Sequence, residues 1–307
     1  MGSSVGDEKK FYGKLVEMNR LALGTAQFGL SYGVANQHGQ VSIDQITEIL
    51  RVASSVGVDT LDTAMITYGD SEQRLGEIGV SSWKVISKLP EIPADTADIS
   101  SWVEQSVYES LQRLQISQLY GLLLHCPNQL LGSQGKALYQ SLNLMKEQGL
   151  VRKIGVSIYN PTELESLCNN FSFDLIQSPF NVLDRNLEKS GWLYKLKKLG
   201  VEIHVRSVFL QGLLLMNPLI RPAYFNRWKP LWQTWENWLA DNRLTPLQGC
   251  LGCVLSNPDI DRVVVGVDSL VQLQEIIAAT TEQYLIPPNN LCYDDPDLIN
   301  PAQWKLA

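Results

Sequence analysis

No run in this 307-residue chain approaches the ~18 consecutive apolar residues that span a bilayer. Its opening residues, MGSSVGDEKK, lack the apolar core of a secretory signal. Neither a membrane nor a secreted protein is therefore expected, and the reading is a soluble, cytoplasmic one. A disulfide framework is missing too: the cysteines at 126, 168, 250, 253 and 292 are odd in number and irregularly spaced, as suits a reducing compartment. Cys250 and Cys253 form one CxxC, but no second pair or nearby histidine accompanies it, so no metal site is expected and both thiols read as buried small hydrophobes on one helical face. Basic residues are in deficit, 25 Lys and Arg against 32 Asp and Glu, giving a net charge of −7. That balance argues against nucleic acid or an anionic membrane as partner. Finally, no GxGxxG follows an apolar run, so the dinucleotide fingerprint of an open sheet is absent.

What the sequence does contain is a regular alternation. Hydrophobic residues make up 45% and charged residues 19%, ordinary values for a globular enzyme with a full core. Residues 1–18 are polar and read as an N-terminal extension; 19–307 read as one domain. Within it, short apolar runs predict strands at Arg20–Gly24, Val58–Asp62, Lys84–Ser87, Leu119–His125, Lys153–Ser157, Asp174–Gln177, Val201–Arg206 and Arg262–Gly266. Helical periodicity lies between them, as in Ile43–Ser54, Trp102–Leu114, Ala137–Gln148 and Pro161–Leu167. Near-continuous apolarity suits parallel strands covered on both faces. Strict βα alternation through eight strands predicts a single (β/α)8 TIM barrel, an α/β fold, with an open doubly wound sheet as the alternative.

The long segment before the last strand holds two further helical patterns, Trp228–Ala240 and Leu247–Leu255. Trp228, Trp232, Trp235 and Trp238 recur at helical spacing and predict helix-to-barrel packing, with a substrate wall or an oligomer contact as the other reading. The tail from Ile286, with prolines at 287, 288, 296 and 301, reads as an irregular outer strap.

A barrel builds its active site at the C-terminal strand ends. There strand 2 ends in Asp62, with Tyr68 just beyond on a loop whose Asp70, Ser71 and Glu72 carry N-cap and first-turn chemistry for the next helix. Strand 3 leads to Lys88 and strand 4 to His125. Alone, the tyrosine could be a turn residue, Lys88 a surface lysine and His125 a core histidine; converging, they form a set. A phenol has an intrinsic pKa near 10, and a neighbouring ammonium is expected to lower it by stabilising the phenolate. A carboxylate would anchor that ammonium and an imidazole would orient a carbonyl. His204, flanked by Ile203 and Val205, reads as structural, and His38 as loop.

These residues sit in LGTAQFG (23–29), DTA (62–64), YGDSE (68–72), SKLP (87–90), LLLHCP (122–127), IGVS (154–157), DLIQSPFN (174–181) and VVVGVDS (263–269), a series that resembles the aldo-keto reductase family from about Leu21 to the tail. The resemblance implies a (β/α)8 barrel, a nicotinamide cofactor held without a Rossmann domain, and a tetrad of Asp62, Tyr68, Lys88 and His125. Tyr68 would be the general acid, Lys88 its partner, Asp62 the anchor of Lys88, and His125 the carbonyl-orienting group. For the cofactor, the resemblance implies Gly24 and Thr25 beside the nicotinamide, and Ser157 and Gln177 at its carboxamide. Arg206 stands where the family usually stacks an aromatic ring. Ser207, Val208, Phe209 and Leu210 would line the pyrophosphate, and Gly266, Asp268, Gln272 and Glu275 the adenosine end. NADP(H) is favoured on family grounds, with NAD(H) as the alternative. Pocket walls are expected from Phe28, Tyr32, Cys126 and Phe209–Met216, which suggests a substrate with an apolar part.

The sequence departs from the family pattern at several points. Asp62 and Tyr68 are six apart where the family has five, Ile158 follows Ser157 in place of an asparagine, and Ile276 also replaces an asparagine. Asp268 would face a 2′-phosphate with like charge, which weakens the case for NADPH. The expected function is NAD(P)H-dependent interconversion of a small-molecule aldehyde or ketone with its alcohol. The alternative is a cofactor-binding or regulatory subunit with little turnover, the outcome expected if the extra loop residue displaces the phenol.

Overall fold

A computed structural model describes residues 18–280 and 285–306; all of the predicted extension except Met18 lies outside the described residues. Strands and helices alternate. The first half runs β1 (Leu21–Gly24), α1 (Ala26–Gly29), α2 (Ile43–Ser55), β2 (Thr60–Asp62), α3 (Ser71–Ile78), β3 (Lys84–Leu89), α4 (Ile99–Leu114), β4 (Leu119–Leu124) and α5 (Gly135–Glu147). The second half runs β5 (Val151–Ser157), α6 (Glu163–Asn170), β6 (Leu175–Pro179), α7 (Asn186–Lys189), α8 (Trp192–Lys198), β7 (Glu202–Arg206), α9 (Lys229–Asn242), α10 (Pro246–Leu255), β8 (Arg262–Gly266), α11 (Leu270–Ala279) and α12 (Pro296–Ile299). The strands are parallel and close in sequence order into a barrel, because β1 pairs with both β2 and β8: Gly24 stands opposite Asp62 on one side and Gly266 on the other.

The main core lies between the strands and the helices around them, where Leu122, Ile154, Ile176 and Val265 are fully buried. Inside the barrel a smaller plug of Ile86, Leu123 and Leu175 rests on Tyr120. Ile86 sits two positions from Lys88 on one side and two from Lys84 on the other, so this plug separates the mouth of the barrel from its floor. Helix starts carry the chemistry that their backbone N–H groups need. Ser42 caps α2, Asp98 caps α4, and Thr245 with Gln248 forms a capping box on α10.

Several expected boundaries shift. β3 continues to Leu89, so Lys88 lies within the strand, and β4 stops at Leu124, leaving His125 just outside it. β6 runs on to Pro179 because β7 still pairs with it there, Pro179 opposite Arg206. Asp70 does not cap α3 with its side chain. Its carboxylate instead accepts hydrogen bonds from Gln40 at 2.7 Å and Arg74 at 2.9 Å. Glu72 is, as expected, the acid of the first turn of α3, but it is buried and joins three elements: Ser87 of β3 and Ser110 and Arg113 of α4 donate to it at 2.6, 2.7 and 2.9 Å.

The tryptophan stripe, Trp228 just ahead of α9 and the other three within it, makes contacts with elements near it in the chain and with the tail. Trp235 stacks on Trp238 at 5.5 Å, and both close over Gly249 of α10, while Trp228 donates to Asp295 in the tail at 3.0 Å. The tail itself is pinned down: Arg185 donates to the carbonyls of Pro287 and Pro288, and Leu291 and Leu298 are buried. Among the described residues no helix is long and apolar enough to cross a membrane.

Candidate active site

The mouth of the barrel opens into a cavity of about 770 Å³, a size that holds a cofactor. At its base, Lys88 Nζ lies 2.6 Å from Asp62 Oδ1 and also donates to the carbonyl of Thr63 at 2.9 Å. Both side chains are almost fully buried. The other Asp62 oxygen accepts from Gln177 Nε2 at 2.7 Å, and Gln177 in turn accepts from Ser157 Oγ at 3.1 Å. A charge pair removed from water needs its remaining lone pairs satisfied in this way.

Tyr68 and His125 line the same cavity, and Lys88 Nζ lies 4.9 Å from the centre of the Tyr68 ring. The four residues expected from four chain segments therefore meet. In the loop between Asp62 and Tyr68, Ile66 and Thr67 are exposed, Thr67 at the cavity itself, a turn closes from Gly69 N–H to the Ile66 carbonyl, and buried Met65 ties the loop's base to the Lys88 carbonyl. The far side of the loop is fixed by a backbone crossing. A Cβ on Gly29 would lie 1.7 Å from the Tyr68 carbonyl oxygen, and one on Gly69, at φ +57°, 2.4 Å from the Gly29 oxygen. Only glycine allows this approach.

Electrostatics differ from the expectation. Burial pushes the Tyr68 phenol above its usual range, and the Asp62 charge adds to that; the Arg206 charge opposes it. Burial likewise draws the Lys88 ammonium down against the pull of Asp62. The expected lowering of the phenol by Lys88 does not occur in the free site, because desolvation dominates. His125 is lowered to about 4 by burial and by the charges of Lys88 and Arg206, so it is neutral at pH 7.

The remaining expected residues divide. Gly24, Ser157, Arg206 and Ser207 line the cavity, as do Val208 and Phe209. At the β8–α11 turn Gly266, Asp268, Gln272 and Glu275 line it, and Tyr32 lines it from the β1 loop. Thr25, Gln177 and Leu210 do not. Thr25 is buried beneath, donating to the Asp62 carbonyl and accepting from Ser71, while Gln177 spends its amide on Asp62 and Leu210 is wholly buried. Two of the expected walls are displaced as well. Phe28 is fully buried in the outer core, and Cys126 turns away toward Glu91. Cys250 and Cys253 are buried, and burial raises both thiols, Cys253 to about 12.

Sequence reading missed Tyr159, Asn36, Ile220 and Leu247, all of which line the cavity. Tyr159 lies two residues beyond β5, so its place on a strand-end loop was the available signal. Its ring stacks on the Arg206 guanidinium at 4.7 Å, which is also held by the Ile158 carbonyl at 3.0 Å and Ser207 Oγ at 3.2 Å. The stretch after β7 is strained: Ser207, Leu210 and Gln211 have φ of 59°, 49° and 54°, three of the five non-glycine residues with positive φ among those described. Such strain concentrates at ligand-holding loops.

The model of the Aldo/keto reductase family matches residues 20–286. The chain belongs to the aldo/keto reductase family. It is 26% identical over 217 residues to the oxidoreductase sirO of Leptosphaeria maculans, covering 68% of this chain and 65% of that protein. It is 25% identical over 193 residues to the aldo-keto reductase YhdN of Bacillus subtilis (strain 168), covering 57% of this chain and 54% of the relative. The matched regions thus span a little over half to just under two thirds of these relatives. Among solved structures, the holo form of aldo-keto reductase AKR11C1 from Bacillus halodurans superposes with a TM-score of 0.69 at 20% identity, covering 87% of this chain and 88% of that one. At that identity the likeness supports the fold.

Proposed function

We propose that this aldo/keto reductase is a carbonyl oxidoreductase that works with a nicotinamide dinucleotide and uses Tyr68 as its proton donor. The observation that carries the reading is the convergence of Tyr68, His125 and the buried Lys88–Asp62 pair on one end of a single cavity. The same cavity suits a dinucleotide. Gly24 and Gly266 are adjacent in register and both line it, and the Gln27 amide packs close over Gly266, 2.5 Å from where a Cβ would lie. The left-handed residues at Ser207 and at Leu210, Gln211 and Gly212 give this stretch the kind of backbone concavity that receives anions. Ser157, Arg206 and Ser207 are the side chains placed to hold the group.

When bound, a reduced nicotinamide supplies hydride to a carbonyl carbon. The protein's own part is protonation and charge control. A phenol raised by burial stays protonated across the physiological range, which suits a donor in the reductive direction. Neutral His125 can donate a hydrogen bond to the carbonyl oxygen and so fix it beside the phenol. As Tyr68 gives up its proton, the Lys88 ammonium next to the ring stabilises the phenolate, and Asp62 keeps Lys88 charged. Tyr68 lining the cavity beside Lys88, whose Nζ lies 4.9 Å from the ring centre, favours turnover over the alternative reading as a binding subunit. The mouth is partly apolar, with Leu215, Met216, Ile220 and Leu247 facing the cavity, which supports a substrate with an apolar part.

The test is turnover of an aldehyde and ketone panel followed at the nicotinamide absorbance band, with Tyr68→Phe beside wild type. Loss of turnover with cofactor affinity kept is the expected result; unchanged turnover removes Tyr68 from the role.

A further inference from the structure

The lysine and arginine among the described residues lining the cavity are Lys88 and Arg206. Both belong to the Tyr68 end: Lys88 is paired with Asp62, and Arg206 ends β7, fastened to Ile158, Ser207 and the Tyr159 ring. The β8–α11 turn has the opposite sign. Asp268 and Glu275 line the cavity there, and the Asp268 carboxylate accepts from Asn36 Nδ2 at 3.3 Å. Two backbone donors here are already taken: Asp268 N–H, ahead of α11, goes to Gln272 Oε1 at 2.7 Å, and Gln272 N–H in the first turn of that helix goes to Ser269 Oγ.

A dinucleotide that brings its nicotinamide to Tyr68 must send its adenosine end away from that tetrad, and so away from both cations. A phosphate monoester there would carry about −1.5 to −2 charge at neutral pH. It would meet no lysine or arginine along the described wall, and at the β8–α11 turn it would face two carboxylates. A ribose 2′-hydroxyl has the reverse need, because it donates a hydrogen bond that a carboxylate accepts. We propose, resting on the nicotinamide-dependent reading above, that the cavity takes NADH in preference to NADPH and that Asp268 is the residue that excludes the 2′-phosphate. This preference runs opposite to the family-based expectation of NADP(H).

Calorimetric titration of the full chain with NADH and with NADPH tests this, with tryptophan fluorescence as a second readout. NADH is expected to bind more tightly by on the order of tenfold or more at low ionic strength, with the gap narrowing as salt screens the repulsion. Asp268→Ser should close much of the gap by tightening NADPH, and Gln272→Arg, which leaves Asp268 in place, should tighten NADPH without weakening NADH. Wild-type protein that binds NADPH as tightly as NADH overturns the proposal and leaves the nicotinamide reading standing. A preference for NADH that Asp268→Ser leaves unchanged overturns the role of Asp268. Failure of both dinucleotides to bind overturns the nicotinamide reading itself, and the proposal with it.

Discussion

The barrel holds the same four chemical groups twice. At the mouth are the Asp62 carboxylate, the Lys88 ammonium, the Tyr68 phenol and the His125 imidazole; at the floor, beyond the plug of Ile86, Leu123 and Leu175, are Glu202, Lys153, Tyr120 and His204. At the floor the carboxylate takes everything: Tyr120 donates to it at 2.8 Å, His204 Nε2 lies 2.7 Å away, and Lys153 pairs with it. Those three partners hold Glu202 far below the ordinary carboxylate range despite its burial. At the mouth the carboxylate is spent on Lys88 and Gln177, and the Tyr68 hydroxyl has no hydrogen-bond partner among the described residues. Residue type therefore does not decide which end can do chemistry. A phenol whose proton already belongs to a carboxylate is structural, whereas one facing an open cavity beside an ammonium has a proton to give.

The contrast is broken most directly by removing each phenol. Tyr68→Phe should lower turnover by about 10²–10⁴-fold, the usual worth of a positioned acid, whereas Tyr120→Phe should leave turnover near wild type. Steady-state rates of the two variants decide it, and equal losses would erase the distinction. Next in size is the backbone crossing that seats the mouth phenol. Gly29→Ala places a Cβ 1.7 Å from the Tyr68 carbonyl, so the loop must shift. Misplacement on the scale of an ångström costs on the order of 10²-fold in rate. Dinucleotide affinity, measured by titration, should change far less than kcat.

How much of this was legible in the sequence follows from the range of each signal. The strands were readable because continuous apolar runs report burial on both faces, and Asp62, Lys88 and His125 were readable because they end such runs. Asp70 and Glu72 hold the N-cap and first-turn positions read for them, but their partners were not legible because capping is a local pattern, while Gln40 and Arg74 for one and Ser87, Ser110 and Arg113 for the other mostly come from distant segments. Phe28 and Cys126 failed as pocket walls for a related reason: a loop position fixes neighbourhood but not the direction of a side chain. Leu247 and Ile220 come from the long β7–β8 excursion, whose path over the mouth depends on tertiary packing.

The floor offers a stability test. The folded pKa of Glu202 lies below its unfolded value, near 4.3 for a free glutamate, so the unfolded chain takes up the proton first as pH falls. Its contribution is complete above that value and is lost progressively below it. Denaturant unfolding should show this acid-side loss in wild type. Glu202→Gln should flatten it and lower stability at pH 7 by about 1–3 kcal/mol, the usual worth of hydrogen bonds to a charged group at a part-buried site. An unchanged acid slope would mean that the floor network is not what holds the proton off.

The smallest effect expected is an absence of change, and it sharpens the same contrast at the imidazoles. His204 faces a carboxylate, whereas His125 sits in the fields of Lys88 and Arg206 and is lowered to about 4. A free histidine would titrate near 6.5. Held neutral above about pH 5, His125 should impose no acid limb on the reduction rate near 6.5, and the raised Tyr68 phenol should impose no basic limb within the ordinary tyrosine range. The profile of kcat for reduction should therefore stay flat from about pH 5.5 to 9. An inflection near 6.5 that disappears in His125→Asn would mean that the imidazole takes up its proton in the working site, and with it that the two cations fail to reach it.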